Sequence, residues 1–230
     1  MDPLCQTKSG NTPLHKACIG GNIDIVHYLV NEMSKYLPLK DVVNYKGKHG
    51  QAPIHIAALD GHLEIVEFFV TELNCDLNIQ TAKYPGRTPL HHAAQNGHMH
   101  IVKFLVEEQN CNSSHLDKDK VTPLHLAAER GHLDIVKYLT LEQHCDPLCT
   151  DKYNYTPFHH AAYFGHLEMV KFFIETLHCP PDIRGWCNMT PLELAHSQGH
   201  HHVVIYLKSI SYSLSQTQVY SISLYVCKYT

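Results

Sequence analysis

The sequence has little charge for its length, and it has no excess of positive charge. Charged residues make up 17% of the 230 residues, and 18 lysine and arginine residues stand against 22 aspartate and glutamate residues. Domains that bind nucleic acid usually carry a basic patch, so this balance argues against a nucleic-acid partner. No apolar run approaches the length of a membrane-spanning helix, which argues against insertion into a bilayer.

Signals of secretion and of catalysis are also missing. The first five residues have neither the basic n-region nor the apolar h-region of a signal peptide. The sequence contains no Gly-x-Ser-x-Gly nucleophile elbow and no phosphate-binding loop. We therefore predict that the protein is not an enzyme and that it uses no cofactor.

What the sequence does contain is one frame of residues that recurs along the chain. Its full form, residues 122–139, reads TPLHLAAERGHLDIVKYL, and the frame begins at Thr12, Ala52, Thr88, Thr122, Thr156 and Thr190. The steps between these positions are 40, 36, 34, 34 and 34 residues. A period of this size indicates an array of stacked repeats.

Each frame has the residues of two short helices joined by a tight turn. Thr122 is a good N-cap and Pro123 suits the first helical position. Gly131 can end that helix in a left-handed conformation. Leu133, Ile135, Val136 and Leu139 then form one apolar stripe on a second helix. Two such helices cannot bury both faces alone, so the units must stack into a solenoid.

The pattern Thr-Pro-Leu-His-x-Ala-Ala-x-x-Gly-His-Leu-x-Ile-Val resembles the ankyrin repeat. The resemblance implies an all-α solenoid of helix-turn-helix units with β-hairpin-like finger loops. Ala52 replaces the capping threonine and Glu193 replaces the histidine of the pattern. The period of 34 exceeds the commonest ankyrin period of about 33. We place the extra residue near Asn74-Cys75 and its counterparts.

The domain organisation follows from this frame. We place six repeats in residues 1–208 and a separate tail in residues 209–230. Residues 2–5 and 146–149 both read Asp-Pro-Leu-Cys, so we expect an array truncated mid-repeat at its N-terminal end. His201 and Lys208 replace apolar residues of earlier second helices, as a capping repeat requires. The tail alternates apolar and polar residues, so we expect it to be strand-like or disordered.

Two further expectations concern the connections between repeats. The longest connection, residues 31–51, should contain a longer helix end and an enlarged loop. Each finger has one position two residues before the frame that favours a left-handed turn. These positions are Gly10, Gly50, Gly86, Lys120, Asn154 and Asn188. Lysine is the exception among them, so its finger should be the most strained.

The 21 histidines fall mostly into two repeated positions. The resemblance implies that the set including His15, His55 and His91 hydrogen-bonds to the adjacent finger, and that the set including His62 and His98 braces the turn after the glycine. Both roles are structural. The cluster of His196 and residues 200–202 has spacings that suit zinc, but Gly199 separates it onto two helices, so we predict no metal site.

The nine cysteines also follow the repeat. Neighbouring copies of one position should lie roughly one helix-packing distance apart, about 8–10 Å, whereas a disulfide needs Cα atoms within about 7 Å. We therefore predict reduced thiols in a cytoplasmic protein, with one row acting as small semi-buried fillers. That row is Cys75, Cys111, Cys145 and Cys179.

A partner site is implied by the resemblance, because ankyrin ligands usually contact finger tips and exposed short-helix residues. Repeats five and six bring aromatic residues to these positions, which is the composition of an interface hot spot. The alternative, that some of them pack on neighbouring fingers, stays open. We predict partner-binding residues Tyr153, Tyr155, Tyr163, Phe164, Trp186, Met189, Arg87 and Arg130. A row of tip lysines either steers an acidic partner or is a solvated edge: Lys8, Lys48, Lys118 and Lys152.

The function that these features favour is a non-catalytic scaffold that binds a protein or peptide partner and is itself a monomer. One alternative is a regulatory segment of a longer protein whose enzyme, channel or signalling domain is absent from this chain. A second alternative is a metal-binding protein that uses the histidine cluster.

Overall fold

A computed structural model provides the structure of the chain, and it describes residues 10–47, 49–83 and 85–212. The regular structure in these residues is helical, and none of them lies in a β-strand. By its internal contacts the chain divides into two units, Met1–Cys145 and Asp146–Thr230.

The first unit is a series of helical hairpins in which a short helix alternates with a second helix. Its helices are α1 (Pro13–Gly20), α2 (Ile23–Ser34), α3 (Leu39–Asn44), α4 (Pro53–Asp60), α5 (Leu63–Glu67), α6 (Pro89–Gln95), α7 (Met99–Lys103), α8 (Pro123–Arg130) and α9 (Leu133–Lys137). The second unit repeats the same plan. Its helices are α10 (Pro157–Tyr163), α11 (Leu167–Lys171), α12 (Pro191–Ser197) and α13, residues 201–212.

The short helices begin and end where the sequence predicts. At α8, the Thr122 hydroxyl accepts a hydrogen bond from the His125 amide at 3.3 Å, and His125 Nδ1 accepts one from the Thr122 amide at 3.2 Å. This reciprocal arrangement satisfies two amides that a helix start otherwise leaves unpaired. Gly131, with φ of 81°, ends the helix in the left-handed region.

The second helices contain a feature that the sequence did not reveal. α5, α7, α9 and α11 each continue as one π-helical turn, over Phe68–Glu72, Phe104–Glu108, Tyr138–Glu142 and Phe172–Thr176. A π-helical turn accommodates one inserted residue within a helix. The extra residue of the 34-residue period is therefore taken up here, several residues before Asn74-Cys75. The positions at Asn74 and its counterparts differ from the usual ankyrin pattern for another reason: their backbone is left-handed, with φ of 50° at Asn74, and it caps the end of the second helix.

The connection at residues 31–51 differs from the enlarged loop that was expected. α2 is long, at 12 residues, as predicted. The extra length beyond it forms the additional helix α3, whose Val42 and Val43 are buried. Burial of this valine pair explains why the insertion is helical rather than a loop, because it gives the segment an apolar face to pack.

Stacking of the hairpins produces the core of each unit. In the first unit, α1 packs on α4, α4 on α6 and α6 on α8. In the second unit, α10 packs on α12, and the rings of Phe158 and Phe173 stack with centroids 5.8 Å apart. Each unit is therefore a run of stacked helical hairpins, which is the all-α solenoid that the resemblance implied.

The fingers have the predicted backbone. All six positions identified from the sequence are left-handed, with φ of 71° at Gly10 and Gly50, 79° at Gly86, 60° at Lys120, 58° at Asn154 and 64° at Asn188. In the first unit, backbone hydrogen bonds join neighbouring fingers, from Ala82 N to Gly50 O at 2.7 Å and from Lys118 N to Pro85 O at 2.9 Å.

The C-terminal end differs from the predicted boundary at residue 208. α13 includes residues 209–212, which are helical rather than strand-like. The rest of the predicted tail, residues 213–230, lies outside the described residues, as do residues 2–5. His201 and Lys208 are exposed, as a capping repeat requires, but Ile205 on the same helix is also exposed. The polar cap is therefore incomplete.

Candidate functional site

The finger at residues 151–155 in the second unit is held by a buried carboxylate. Asp151 Oδ1 accepts hydrogen bonds from the amides of Tyr153 at 2.8 Å and Tyr155 at 2.9 Å. Its Oδ2 lies 3.1 Å from His160 Nε2. Burial acts to raise the pKa of Asp151, but the hydrogen bonds from His160 and the two amides outweigh it and lower the pKa below its usual value. Asp151 therefore stays charged and fixes the backbone that carries both tyrosines.

Tyr153 and Trp186 come from neighbouring fingers and form one exposed aromatic pair. Their ring centroids lie 6.0 Å apart, and their side chains are 46% and 59% exposed. Lys152 places its Nζ 4.7 Å from the centroid of the Tyr153 ring. Aromatic rings with this exposure offer a partner a large apolar area at low conformational cost.

Tyr155 has a different position from the other aromatic residues. A β-carbon at Gly185 would come within 2.3 Å of Tyr155 Cδ1, so the Tyr155 ring lies directly against the Gly185 backbone. The Tyr155 ring also lies 5.3 Å from the His159 ring, and the side chain is only half-exposed. Packing on the neighbouring finger therefore explains why an aromatic residue occupies position 155.

Tyr163 and Phe164 lie at the end of α10. Their rings meet edge to face with centroids 5.0 Å apart, and both side chains are exposed. The Tyr163 carbonyl accepts a hydrogen bond from His200 Nε2 at 2.9 Å, which fixes the backbone beneath the rings. Burial raises the pKa of Tyr155, and the nearby acidic groups of Cys187, Asp151 and Tyr163 raise it further.

Met189, the last predicted site residue in this unit, lines an open cleft beside α12. The cleft has a volume of about 430 Å³. Leu192 forms the rest of its apolar wall, and polar or charged side chains complete the lining: Glu193, His196, Ser197 and Lys208. No pattern in the sequence predicted this cleft.

The two predicted arginines belong to the first unit. Arg87 donates from Nη1 to Gln95 Oε1 at 2.9 Å, and its Nε lies 3.5 Å from the buried carboxylate of Asp117. These contacts give Arg87 a role within the unit. Arg130 is more than half exposed, and its Nε lies 3.3 Å from Glu129 Oε1.

The two tip lysines that the structure describes, Lys118 and Lys152, contact other residues of the fingers. The side chain of Lys118 lies along Gly86, where a β-carbon would come 3.0 Å from Lys118 Cε. Lys152 lies over Tyr153, whereas Lys8 and Lys48 lie outside the described residues. Steering of an acidic partner by this row stays a prediction.

Three histidines of the first set, all in the first unit, join their short helix to the next finger, as the resemblance implied. His91 Nε2 donates to Val121 O at 3.0 Å, and His15 Nε2 donates to Gln51 O at 3.1 Å. His55 Nε2 lies 2.9 Å from Ile79 O and 3.1 Å from Arg87 O. Burial lowers the pKa of His55 to about 4 and that of His91 to about 3. These histidines are therefore neutral hydrogen-bonding groups at neutral pH.

The second set closes the preceding hairpin. His98 Nε2 donates to Leu59 O at 2.8 Å, and a β-carbon at Gly61 would come 2.6 Å from His98 Cε1. His132 Nε2 likewise donates a hydrogen bond to Gln95 O at 3.0 Å. These histidines brace a glycine turn as predicted, but the turn is that of the preceding hairpin and not the histidine's own.

Two of the four histidines considered for zinc, His200 and His202, hydrogen-bond to backbone carbonyls. His200 Nε2 donates to Tyr163 O and His202 Nε2 donates to Gly165 O, both at 2.9 Å. Within the described part of the chain, no three His, Cys, Asp or Glu side chains come together as a metal site.

The predicted cysteine row consists of free thiols. Cys75, Cys145 and Cys179 are buried and Cys111 is half-buried. Burial raises the pKa of Cys75 to about 12 and that of Cys111 and Cys179 to about 11. Thiols with such pKa values are unreactive fillers rather than nucleophiles.

Sequence reasoning also missed a buried polar residue, His92. It occupies the position of Ile56 and Leu126 in the neighbouring frames, and burial lowers its pKa to about 3. Neither ring nitrogen has a hydrogen-bond partner among the described residues. The signal available in the sequence was a histidine at a position that is apolar in its neighbours.

Comparison with known families agrees with this geometry. A family model described as ankyrin repeats matches the chain in three copies, over residues 1–81, 71–151 and 139–217. The chain belongs to the ankyrin repeat family. Ankyrin repeats are generally protein–protein interaction modules and are typically non-catalytic. Comparison with curated proteins gives no significant match. Among the ankyrin helices in the described ranges, none has the length and apolarity to cross a bilayer.

Proposed function

We propose that this chain is a non-catalytic scaffold that binds a protein or peptide through the exposed aromatic residues of its second unit. We call the set Tyr153, Tyr163, Phe164 and Trp186 the aromatic surface. The observation that supports the proposal is that four large aromatic side chains, each more than a third exposed, occur in one unit. Exposed clusters of Trp and Tyr are typical of interface hot spots.

The support beneath the aromatic surface favours binding over incidental exposure. Asp151 fixes the finger that carries Tyr153, and Tyr155 braces that finger against Gly185. His200 fixes the backbone at Tyr163. A surface whose backbone is held in this way loses little conformational entropy on binding, so more of the contact energy contributes to affinity.

The remaining predicted residues have unequal weight in the proposal. Arg130 is exposed and is proposed as a polar contact in the first unit. Arg87 and Tyr155 have internal contacts that explain them, so we assign them to positioning of the fingers. Met189 lines the open cleft beside α12 and offers a shallow pocket for a partner side chain.

The proposed setting is the cytoplasm, and the proposed partners exclude nucleic acid. The seven cysteines in the described residues are free thiols, which suits a reducing compartment. The net charge of −4 gives no general attraction for a phosphate backbone.

Affinity capture from a native lysate tests the proposal. The unaltered chain is compared with a triple variant, Tyr163→Ala, Phe164→Ala and Trp186→Ala. The control is Tyr36→Ala, which removes an even more exposed tyrosine from the first unit. We expect the triple variant to lose a protein that the control retains. If the triple variant captures the same proteins in the same amounts, the aromatic surface is not the binding site.

A further inference from the structure

The interface between successive hairpins is built from the same positions each time, and this gives every hairpin two different faces. We call the side toward the preceding hairpin the N-face and the side toward the following hairpin the C-face. Within the first unit, Ile65 and Phe68 are N-face residues and are 1% and 8% exposed. Their counterparts in the next two hairpins are also buried: Ile101, Phe104, Ile135 and Tyr138.

Contacts in the first unit show what covers these N-face residues. The His27 ring stacks on Phe68 with centroids 4.0 Å apart, and Lys103 places its Nζ 5.3 Å from the Tyr138 ring. His27 and Lys103 occupy equivalent positions, so this position of the C-face covers the N-face aromatic residue that follows. A second pair joins the short helices, because the His55 ring lies 5.7 Å from the His92 ring of the next hairpin.

The N-face of the first hairpin has no cover among the described residues. Ile25 and Tyr28 are the counterparts of Ile65 and Phe68, yet they are 49% and 64% exposed. Lys16, at the position of His92, is also exposed. In the next hairpins the equivalent pair is buried against the preceding hairpin, so the exposed Ile25 and Tyr28 form one side of an interface without its other side.

The C-face of the last hairpin in the second unit is also uncovered by the part of the chain that the structure describes. Ile205, at the position of His27, is 70% exposed. Leu192 is half-buried and lines the cleft, whereas Leu14 and its counterparts in the following frames are fully buried. Glu193, at the position of His55, is exposed, and its carboxylate accepts hydrogen bonds from its own helix start, at Thr190.

We propose that the C-face of one copy of this chain packs on the N-face of a second copy, in the register that the array uses internally. In that register Ile205 covers Tyr28, as His27 covers Phe68. Glu193 meets Lys16, as His55 meets His92. The two charged exceptions to the repeat pattern thus become an ion pair of opposite charges across the interface, which favours this partner over an unrelated apolar surface.

Such an interface is heterologous, because it joins two different faces, so each copy offers one N-face and one C-face to its neighbours. The polar rim that includes Lys208 and His201 must be desolvated, which weakens the contact. We expect dissociation constants of roughly micromolar to 100 µM, typical of weak and transient interfaces. Because one contact is ionic, association should weaken as salt concentration rises. This inference departs from the monomer expected from the sequence, and it is independent of the aromatic surface.

Sedimentation velocity on the full chain, from roughly 5 to 500 µM, tests the proposal across the expected range. We expect the average mass of the parent to rise with concentration. Tyr28→Glu and, independently, Ile25→Lys should remain monomeric, and so should Ile205→Glu. The control Leu141→Glu changes an exposed leucine to the residue found at the equivalent Glu107 and Glu175, and it should associate like the parent. Thermal unfolding of each variant verifies that it is folded.

Mixing the variants tests the head-to-tail geometry itself. Tyr28→Glu retains an intact C-face and Ile205→Glu retains an intact N-face, so an equimolar mixture should form 1:1 dimers and nothing larger. A chain with both Lys16→Glu and Glu193→Lys should associate more strongly than either single variant. A parent that is monomeric throughout, an Ile205→Glu variant that still associates, or a mixture without dimers would each overturn the proposal.

Discussion

His92 gives the most direct test of how buried polar groups affect this array. It is buried, its ring nitrogens have no hydrogen-bond partner among the described residues, and neighbouring frames have Ile56 and Leu126 in its place. His92→Leu therefore removes an unsatisfied polar group and leaves a side chain that the position accommodates elsewhere. At pH 7 we expect the free energy of unfolding to rise by about 1–3 kcal/mol, the usual cost of such a group.

The gain should increase at lower pH. The pKa of His92 is about 3 in the folded chain, against 6.5 for an unperturbed histidine, so the unfolded chain takes up a proton first as pH falls. Stability is therefore lost between pH 6.5 and the folded pKa. At pH 5 the loss is about 1.4 kcal/mol for each of the roughly 1.5 pH units below the unperturbed value, or about 2 kcal/mol. The leucine variant does not have this loss, so its advantage should reach about 3–5 kcal/mol.

Urea unfolding of parent and variant at pH 7 and pH 5 measures both quantities. The reverse substitution, Leu126→His, is the matched control and should destabilise the chain by a similar amount, more at pH 5 than at pH 7. A His92→Leu variant that is less stable than the parent would refute the reasoning, because the imidazole would then have a favourable partner. An equal gain at both pH values would refute the titration argument.

Two further predictions concern the turns and the helix caps. Gly97→Ala should cost about 1–2 kcal/mol of left-handed strain and about 1 kcal/mol more for displacing His132, whose Cε1 lies 2.7 Å from the added β-carbon. The control Gly199→Ala has the same backbone strain at φ 74°, but its added β-carbon has no atom within 4 Å. Urea unfolding should therefore show a smaller loss of stability for Gly199→Ala than for Gly97→Ala. Equal losses would contradict the bracing role of His132. Ala52→Thr restores the capping hydroxyl of the other frames and should raise stability by about 1 kcal/mol in the same assay, and a loss would show that the site cannot hold the side chain.

The features predicted well from the sequence are those that depend on a few neighbouring residues. Thr122 and Pro123 start a helix through local backbone chemistry, and Gly131 ends one for the same reason. The left-handed finger position was predicted even where it is occupied by Lys120, because the repeat register identified it independently of the residue type. Each of these signals occurs in several frames, so one weak signal supports the next.

The features that the sequence did not reveal depend on contacts between distant residues. α3 forms because Val42 and Val43 are buried, which their composition alone does not show. Tyr155 and Trp186 have the same aromatic signal, yet only Tyr155 packs closely against a glycine about thirty residues away. The same reason applies to Arg87, since its contact with Asp117 could not be read from either residue alone. Side-chain exposure within the fingers is decided by such contacts.

The claim that matters most is that the aromatic surface serves binding and not stability. Calorimetric titration of a captured partner against Trp186→Ala, with the melting temperature measured on the same sample, tests it most directly. We expect binding to weaken by about 2 kcal/mol or more and the melting temperature to stay nearly unchanged. A fall in melting temperature with affinity intact would contradict the account, because Trp186 would then be a packing residue of the fingers.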